Sequence, residues 1–152
     1  MAAEARLREL GLELPALRQP AGNYVGWVRS GDLLFVSGQG ADGFTGRLGA
    51  DMSVEAGRAA ARACALNLLA QARDAIGSLD RVARVVKVLG FVACTDGFAE
   101  APAVIDGASD LLGELFGERG RHARSAIGVQ ALPRGFAVEV EMVLEVGRAG
   151  GR

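Results

Sequence analysis

Histidine occurs once in the 152 residues, cysteine twice, proline four times, and tyrosine and tryptophan once each. These scarcities exclude chemistry before any is assigned. Cys64, Cys94 and His122 make no CxxC or HExxH pattern, so the familiar zinc-ligand spacings are unavailable and no metal is implied. A net charge of −1 and the lack of a basic-aromatic stripe give no electrostatic case for nucleic acid or an anionic membrane as the main partner. No stretch approaches about 18 uninterrupted apolar residues, and the opening MAAEARLRELG has no apolar signal region. A cytoplasmic location is the expectation.

What is there is ordinary globular material. Hydrophobic residues make up 50% and charged residues 23%, and the length suits one domain better than two. Residues 3–10 are expected to form a short amphipathic helix in a surface extension spanning 1–22. A strand from Tyr24 to Arg29, a Ser30-Gly31-Asp32 turn and a strand from Leu33 to Ser37 make a hairpin. The glycine-dense run from Gly38 to Gly46 lacks the GK[ST] of a P-loop and reads as a loop that brings backbone close to something. Ser53 caps a helix to Ile76 whose apolar face is mainly alanine, and Asn67 within it needs a partner if buried. A strand covers 82–94, with Val86, Val88, Gly90 and Val92 on one face. Asp96 is expected to cap a second long helix, which tolerates Pro102 in its first turn and ends at Gly117. Cys64 and Cys94 read as buried small hydrophobes rather than reactive thiols.

The segment His122–Val146 reads as two strands around Pro133-Arg134-Gly135. Alternation puts Val138, Val140, Met142, Leu144 and Val146 on a core face together with Ser125, Ile127 and Val129. Arg124, Glu139, Glu141 and Glu145 then share the opposite face. If the two strands are neighbours, Arg124 and Glu139 stand on the order of 16 Å apart at about 3.3 Å per residue. A shared site would therefore need a second copy of the chain. The element order is ββαβαββ, an α+β domain spanning 23–147 with two helices on one face of a mixed sheet, followed by a flexible tail at 148–152.

The combination Asn23-Tyr24, Leu34-Phe35-Val36-Ser37-Gly38-Gln39, Lys87 with Phe91-Val92, Ala123-Arg124-Ser125, and Leu132-Pro133 followed by Val138-Glu139-Val140-Glu141 resembles the Rid family. Its members, the reactive intermediate deaminases, are also called the YjgF or L-PSP endoribonuclease family. The resemblance implies a chorismate-mutase-like fold and a homotrimer with small-molecule sites where subunits meet. The implied reaction is hydrolysis of 2-imino and enamine acids to 2-keto acids and ammonia, without cofactor. By the same resemblance Arg124 grips a substrate carboxylate and Glu139 is the acid associated with the attacking water. Tyr24 and Phe91 would be pocket walls, and Ser37-Gly38 a backbone contact to substrate. The chain departs from the family pattern in its N-terminal extension, Asn23 before the tyrosine, the longer loop after Gln39, and Ala126 where many members carry cysteine.

Other readings stand beside these. Arg124 can be a structural ion pair at a subunit seam, Glu139 a solvated or paired acid, and Tyr24 and Phe91 packing residues. His122 suits a hydrogen-bonded strand edge as well as an acid or base. Ser37 has no histidine in a triad context, so a nucleophilic serine is rejected. A trimer that binds small carboxylates without turnover is the alternative function, and an endoribonuclease the third.

Overall fold

The computed structural model describes residues 2–147. Its centre is a five-stranded mixed sheet in the order β1-β2-β5-β3-β4. The strands are β1 (Trp27–Ser30), β2 (Leu33–Gln39), β3 (Val82–Ala93), β4 (Ala123–Val129) and β5 (Val138–Val146), and the helices are α1 (Ala3–Glu9), α2 (Val54–Ile76) and α3 (Ala101–Phe116). β5 runs antiparallel to β2 on one side and to β3 on the other, while β3 and β4 are parallel. Parallel neighbours need a crossover, and α3 supplies it between β3 and β4. Helix α2 likewise carries the chain from β2 to β3, leaving a gap that β5 fills. Both long helices thus cover one face of the sheet.

The core lies between those helices and that face. Leu68, Leu69, Ala72, Leu111 and Leu112 meet Val88, Val140, Met142 and Leu144, all 2% exposed or less. Helix α2 begins where its cap chemistry dictates, since the Ser53 hydroxyl accepts the Ala56 N–H, and it ends at Gly77 with φ 85°. Buried Asn67 finds its partner by donating to the Gly40 carbonyl at 2.8 Å, which pins the loop after β2. Among the described residues no helix is long and apolar enough to cross a membrane.

Four expectations need correction. The segment 122–146 does form two strands, but they are not a hairpin, because β3 lies between them. The faces of β4 are consequently reversed. Ser125 and Ile127 align with Leu89 and Phe91 on the open face, whereas Arg124 aligns with buried Val88 and turns toward α3. In β3 a register shift between Val85 and Lys87 breaks the alternation, so Val85 is buried and Val86 exposed. Asp96 is not the cap of α3, which starts at Ala101 after Glu100 and has no side-chain cap. The expected tail at 148–152 lies outside the described residues.

The fourth correction concerns the N-terminal segment, which is fastened to the domain rather than laid on its surface. Ala3 and Leu7 of α1 are buried in the main core. Glu4 accepts from Arg73 Nη2 at 2.6 Å and from the Leu79 N–H at 2.8 Å, and its own N–H donates to Asp80. Burial raises the Glu4 carboxyl, but the Arg73 and Leu79 hydrogen bonds outweigh it and leave the pKa below the ordinary value. From this anchor the chain passes along α2 toward β1, and residues 18–21 arrive beside the end of β2.

Candidate functional site

The alternation of β5 puts Glu139, Glu141 and Glu145 on the open face of the sheet. Glu139 stands directly across from Phe91 of β3, and Phe91 in turn across from Ile127 of β4. On its other side β5 meets a bulge in β2, where register shifts between Val36 and Gln39. The bulge is Ser37-Gly38. A Cβ built on Gly38 would come within 2.6 Å of Glu139 Oε2, so only glycine lets the carboxylate lie against this backbone.

Ser37 is used internally. Its hydroxyl donates to the Val25 carbonyl at 2.6 Å and its N–H to the Gly26 carbonyl. These bonds fasten the segment before β1 against β2 and bring Tyr24 to the site, where the phenol oxygen accepts the Ala21 N–H. Gln71 of α2 donates to the Arg18 carbonyl at 2.8 Å. Gly26 leaves room for the Gln71 amide, which a side chain there would meet. The result is a cavity of about 290 Å³ with Glu139, Gly38 and Tyr24 in its walls, closed on one side by residues 18–21 and on another by Arg134 and Phe136.

Burial raises the Glu139 carboxyl above the ordinary carboxylate value, and neighbouring Glu141 pushes in the same direction. No hydrogen bond to its side chain offsets this among the described residues. Beneath the sheet, burial drives the Cys64 thiol up to about 12, with the Glu139 charge adding to the effect. Cys64 packs on Val138 and is inert as a nucleophile near neutral pH.

Arg124 sits elsewhere. Its Nη1 donates to Asp106 Oδ1 at 2.7 Å and to Ser109 Oγ at 3.2 Å, and Nη2 reaches the Pro102 carbonyl at 3.3 Å. His122 completes the cluster: Nδ1–H donates to the Gly120 carbonyl, which leaves Nε2 to accept the Ser109 hydroxyl. Arg124 aligns with Val88 and Glu139 with Phe91, three residues along β3 and one strand to either side of it. Their Cα atoms are therefore roughly 14 Å apart, and the side chains leave opposite faces of the sheet. Within one chain the two do not meet. Of the residues singled out from sequence, Glu139, Gly38 and Tyr24 share the cavity. Phe91 and Ser37 adjoin it through the sheet, and Arg124 is outside it.

A family model described as "YjgF/chorismate_mutase-like, putative endoribonuclease" matches residues 4–145. The chain belongs to the YjgF family. It is 51% identical over 148 residues to Protein TCP17 of Trypanosoma cruzi, covering 93% of this chain and 92% of that one. The protein Atu1372 from Agrobacterium tumefaciens, of unknown function, superposes with a TM-score of 0.88 at 42% identity, over 95% of this chain and 92% of its own. A "putative endoribonuclease" from Shewanella oneidensis superposes with a TM-score of 0.92 at 37% identity, over 96% of this chain and all of its own. The YjgF match begins inside α1, in keeping with the packing of that helix into the core.

Residues that sequence reasoning missed are Arg18, Gln71, Arg134 and Phe136. Gln71 carried a signal: with Asn67 and Cys64 it lies on the buried side of α2, where a polar side chain demands a partner. Arg18 carried none, because only the fold brings it to the end of β2.

Proposed function

We propose that this YjgF-family protein hydrolyses 2-imino and enamine acids to 2-keto acids and ammonia, at sites completed where subunits of a homotrimer meet. The observation that carries the reading is Glu139: a half-buried carboxyl, raised in pKa, set in the wall of a small cavity. A protonated imine carbon is electrophilic on its own, so the protein's task is to place a water and manage one proton. Water adds to the carbon while Glu139 accepts its proton. The proton passes to nitrogen, the C–N bond breaks as Glu139 takes the remaining hydroxyl proton and the carbonyl forms, and the departing ammonia carries that proton away as ammonium. A carboxyl whose pKa is shifted toward neutrality suits both halves of that exchange.

The homotrimer is supported by the open face. Val28, Phe35 and Ile127 expose about half of their surface there, beside Leu33 and Val86, and a packed copy would bury them. The reading gives Arg124 a carboxylate contact made from a neighbouring subunit, since it lies on the edge strand and outside its own chain's cavity. A second reading is a trimer that binds small carboxylates without turning them over; the contacts of Arg124 with Asp106 and Ser109 give it a structural role in either case. Keto-acid release from imino acids generated in situ, with and without the protein, separates the two. Acceleration over the spontaneous rate is expected. Binding of keto acids with no acceleration across small and bulky imines selects the second reading.

A further inference from the structure

Two arginines outside the family motif, Arg18 and Arg134, line the Glu139 cavity. Arg18 is held in place at three points. Gln71 fixes its carbonyl, Phe136 lies 5.4 Å from its guanidinium carbon, and Nη1 pairs with the exposed Asp42 at 3.1 Å. A guanidinium has five N–H donors, and among the described residues Asp42 is the one side-chain acceptor that Arg18 engages. Arg134 belongs to the turn between β4 and β5. Its φ of 58° is positive, the one such value at a non-glycine among the described residues. Glycine or asparagine would suit that turn better, so the arginine carries a backbone cost that glycine would not. Among the described residues that side chain has neither an ion pair nor a hydrogen bond.

The cavity lining thus holds two cations and one acid, Glu139. Its volume of about 290 Å³ admits a small molecule only. We propose that Arg18 and Arg134 form an anion clamp within the subunit, which takes the carboxylate of a small 2-oxo or 2-imino acid and turns its C2 toward Glu139. The clamp rests on the reading of this cavity as the substrate site. It requires no residue from another subunit, so it persists whether or not Arg124 of a neighbour also reaches the ligand. The N-terminal segment, fastened by α1, is then a working wall of the site.

Calorimetric titration of the full chain with 2-oxobutanoate and with its uncharged amide, 2-oxobutanamide, tests the clamp. The acid should bind at least tenfold tighter than the amide. Arg18→Ala and Arg134→Gly should each weaken the acid tenfold or more and leave the amide little changed, with Arg134→Lys between. Arg134→Gly is the decisive variant, because glycine relieves the positive φ. It should keep or raise Tm while losing the acid, a combination that a merely structural arginine does not give. Arg121→Ala, exposed and outside the cavity, serves as the unchanged control. Equal binding of acid and amide by the wild type, or wild-type affinity in both Arg18→Ala and Arg134→Gly, overturns the clamp. Imine hydrolysis with unaltered KM in those two variants removes the clamp and keeps the hydrolase. Arginine-dependent binding without hydrolysis keeps the clamp and removes the hydrolase.

Discussion

The Glu139 corner and the Arg124 corner of the sheet hold the two charged residues that the family pattern singles out, and they are built on opposite plans. Glu139 is partly buried with no hydrogen-bond donor or ion pair to its side chain among the described residues, and burial raises its pKa. Arg124 is equally sheltered, yet three acceptors from α3 satisfy it. A charge left unsatisfied in a cavity is a group held ready for a ligand or a proton, whereas a charge already paired is first of all a fastening between strand and helix. The difference follows from strand order. Inserting β3 between β4 and β5 turns Arg124 to the helix side while leaving Glu139 on the open one.

The largest expected effect is at the unsatisfied corner. Glu139→Gln keeps the shape and removes the base, and kcat for imine hydrolysis should fall about 100-fold or more; a loss under threefold would remove Glu139 from the chemistry. Arg124 comes next, compared with its partner. Arg124→Ala and Asp106→Ala break the same ion pair, and each should cost about 1 kcal/mol of stability by denaturant unfolding, given the partial exposure of both side chains. If Arg124 also reaches a neighbour's ligand, kcat/KM drops at least tenfold further in Arg124→Ala than in Asp106→Ala. Equal activity of the two variants makes it a fastening alone. Gly38→Ala perturbs the first corner more gently. The added methyl meets the far end of a flexible glutamate, so the fold should survive while the carboxylate turns aside, with activity down about tenfold at nearly unchanged Tm.

How far this contrast could be read from sequence depends on the range of the forces involved. Helix α2 was legible to the residue because Ser53 and Gly77 are local signals acting within one turn. The inward set Val138, Val140, Met142, Leu144 and Val146 was legible because alternation along one strand is also local. The face of Arg124 was not. It depends on which strand β4 pairs with, and Pro133-Arg134-Gly135 looks like a hairpin turn whether or not the strands it joins are neighbours. The bulge that exposes Val86 has no glycine to announce it. In the candidate site, Glu139, Gly38 and Tyr24 were visible as pieces of a pattern, while Arg18 and Gln71 meet over 53 positions of sequence through a backbone carbonyl that any residue could offer. The short first helix read as a surface extension because its apolar residues are few; a carboxylate joins buried Ala3 and Leu7 in attaching it. Glu4→Gln should lower stability by about 1 kcal/mol near neutral pH. Because the folded-state pKa of Glu4 is depressed, that difference is present above the ordinary carboxylate value and vanishes as pH falls through the lowered one.

The smallest effect expected is a change of sign at Glu139, and it bears most directly on the contrast between the corners. Its folded-state pKa lies above the unfolded value near 4.5, so the folded protein holds the proton more tightly than the unfolded chain does. Whatever stability the protonated carboxyl allows is fully present below about that unfolded value and is lost as pH rises through the raised one. Glu139→Gln, which mimics the protonated state, should therefore unfold at nearly the wild-type temperature at acid pH and at a higher one at pH 8. The same pair of melts on Glu4→Gln should run the other way, with the variant less stable at pH 8. If Glu139→Gln is instead less stable than wild type at pH 8, the carboxylate has a stabilising partner in the assembled protein. Its corner would then be paired like that of Arg124, and the case for an idle, proton-ready acid would fail.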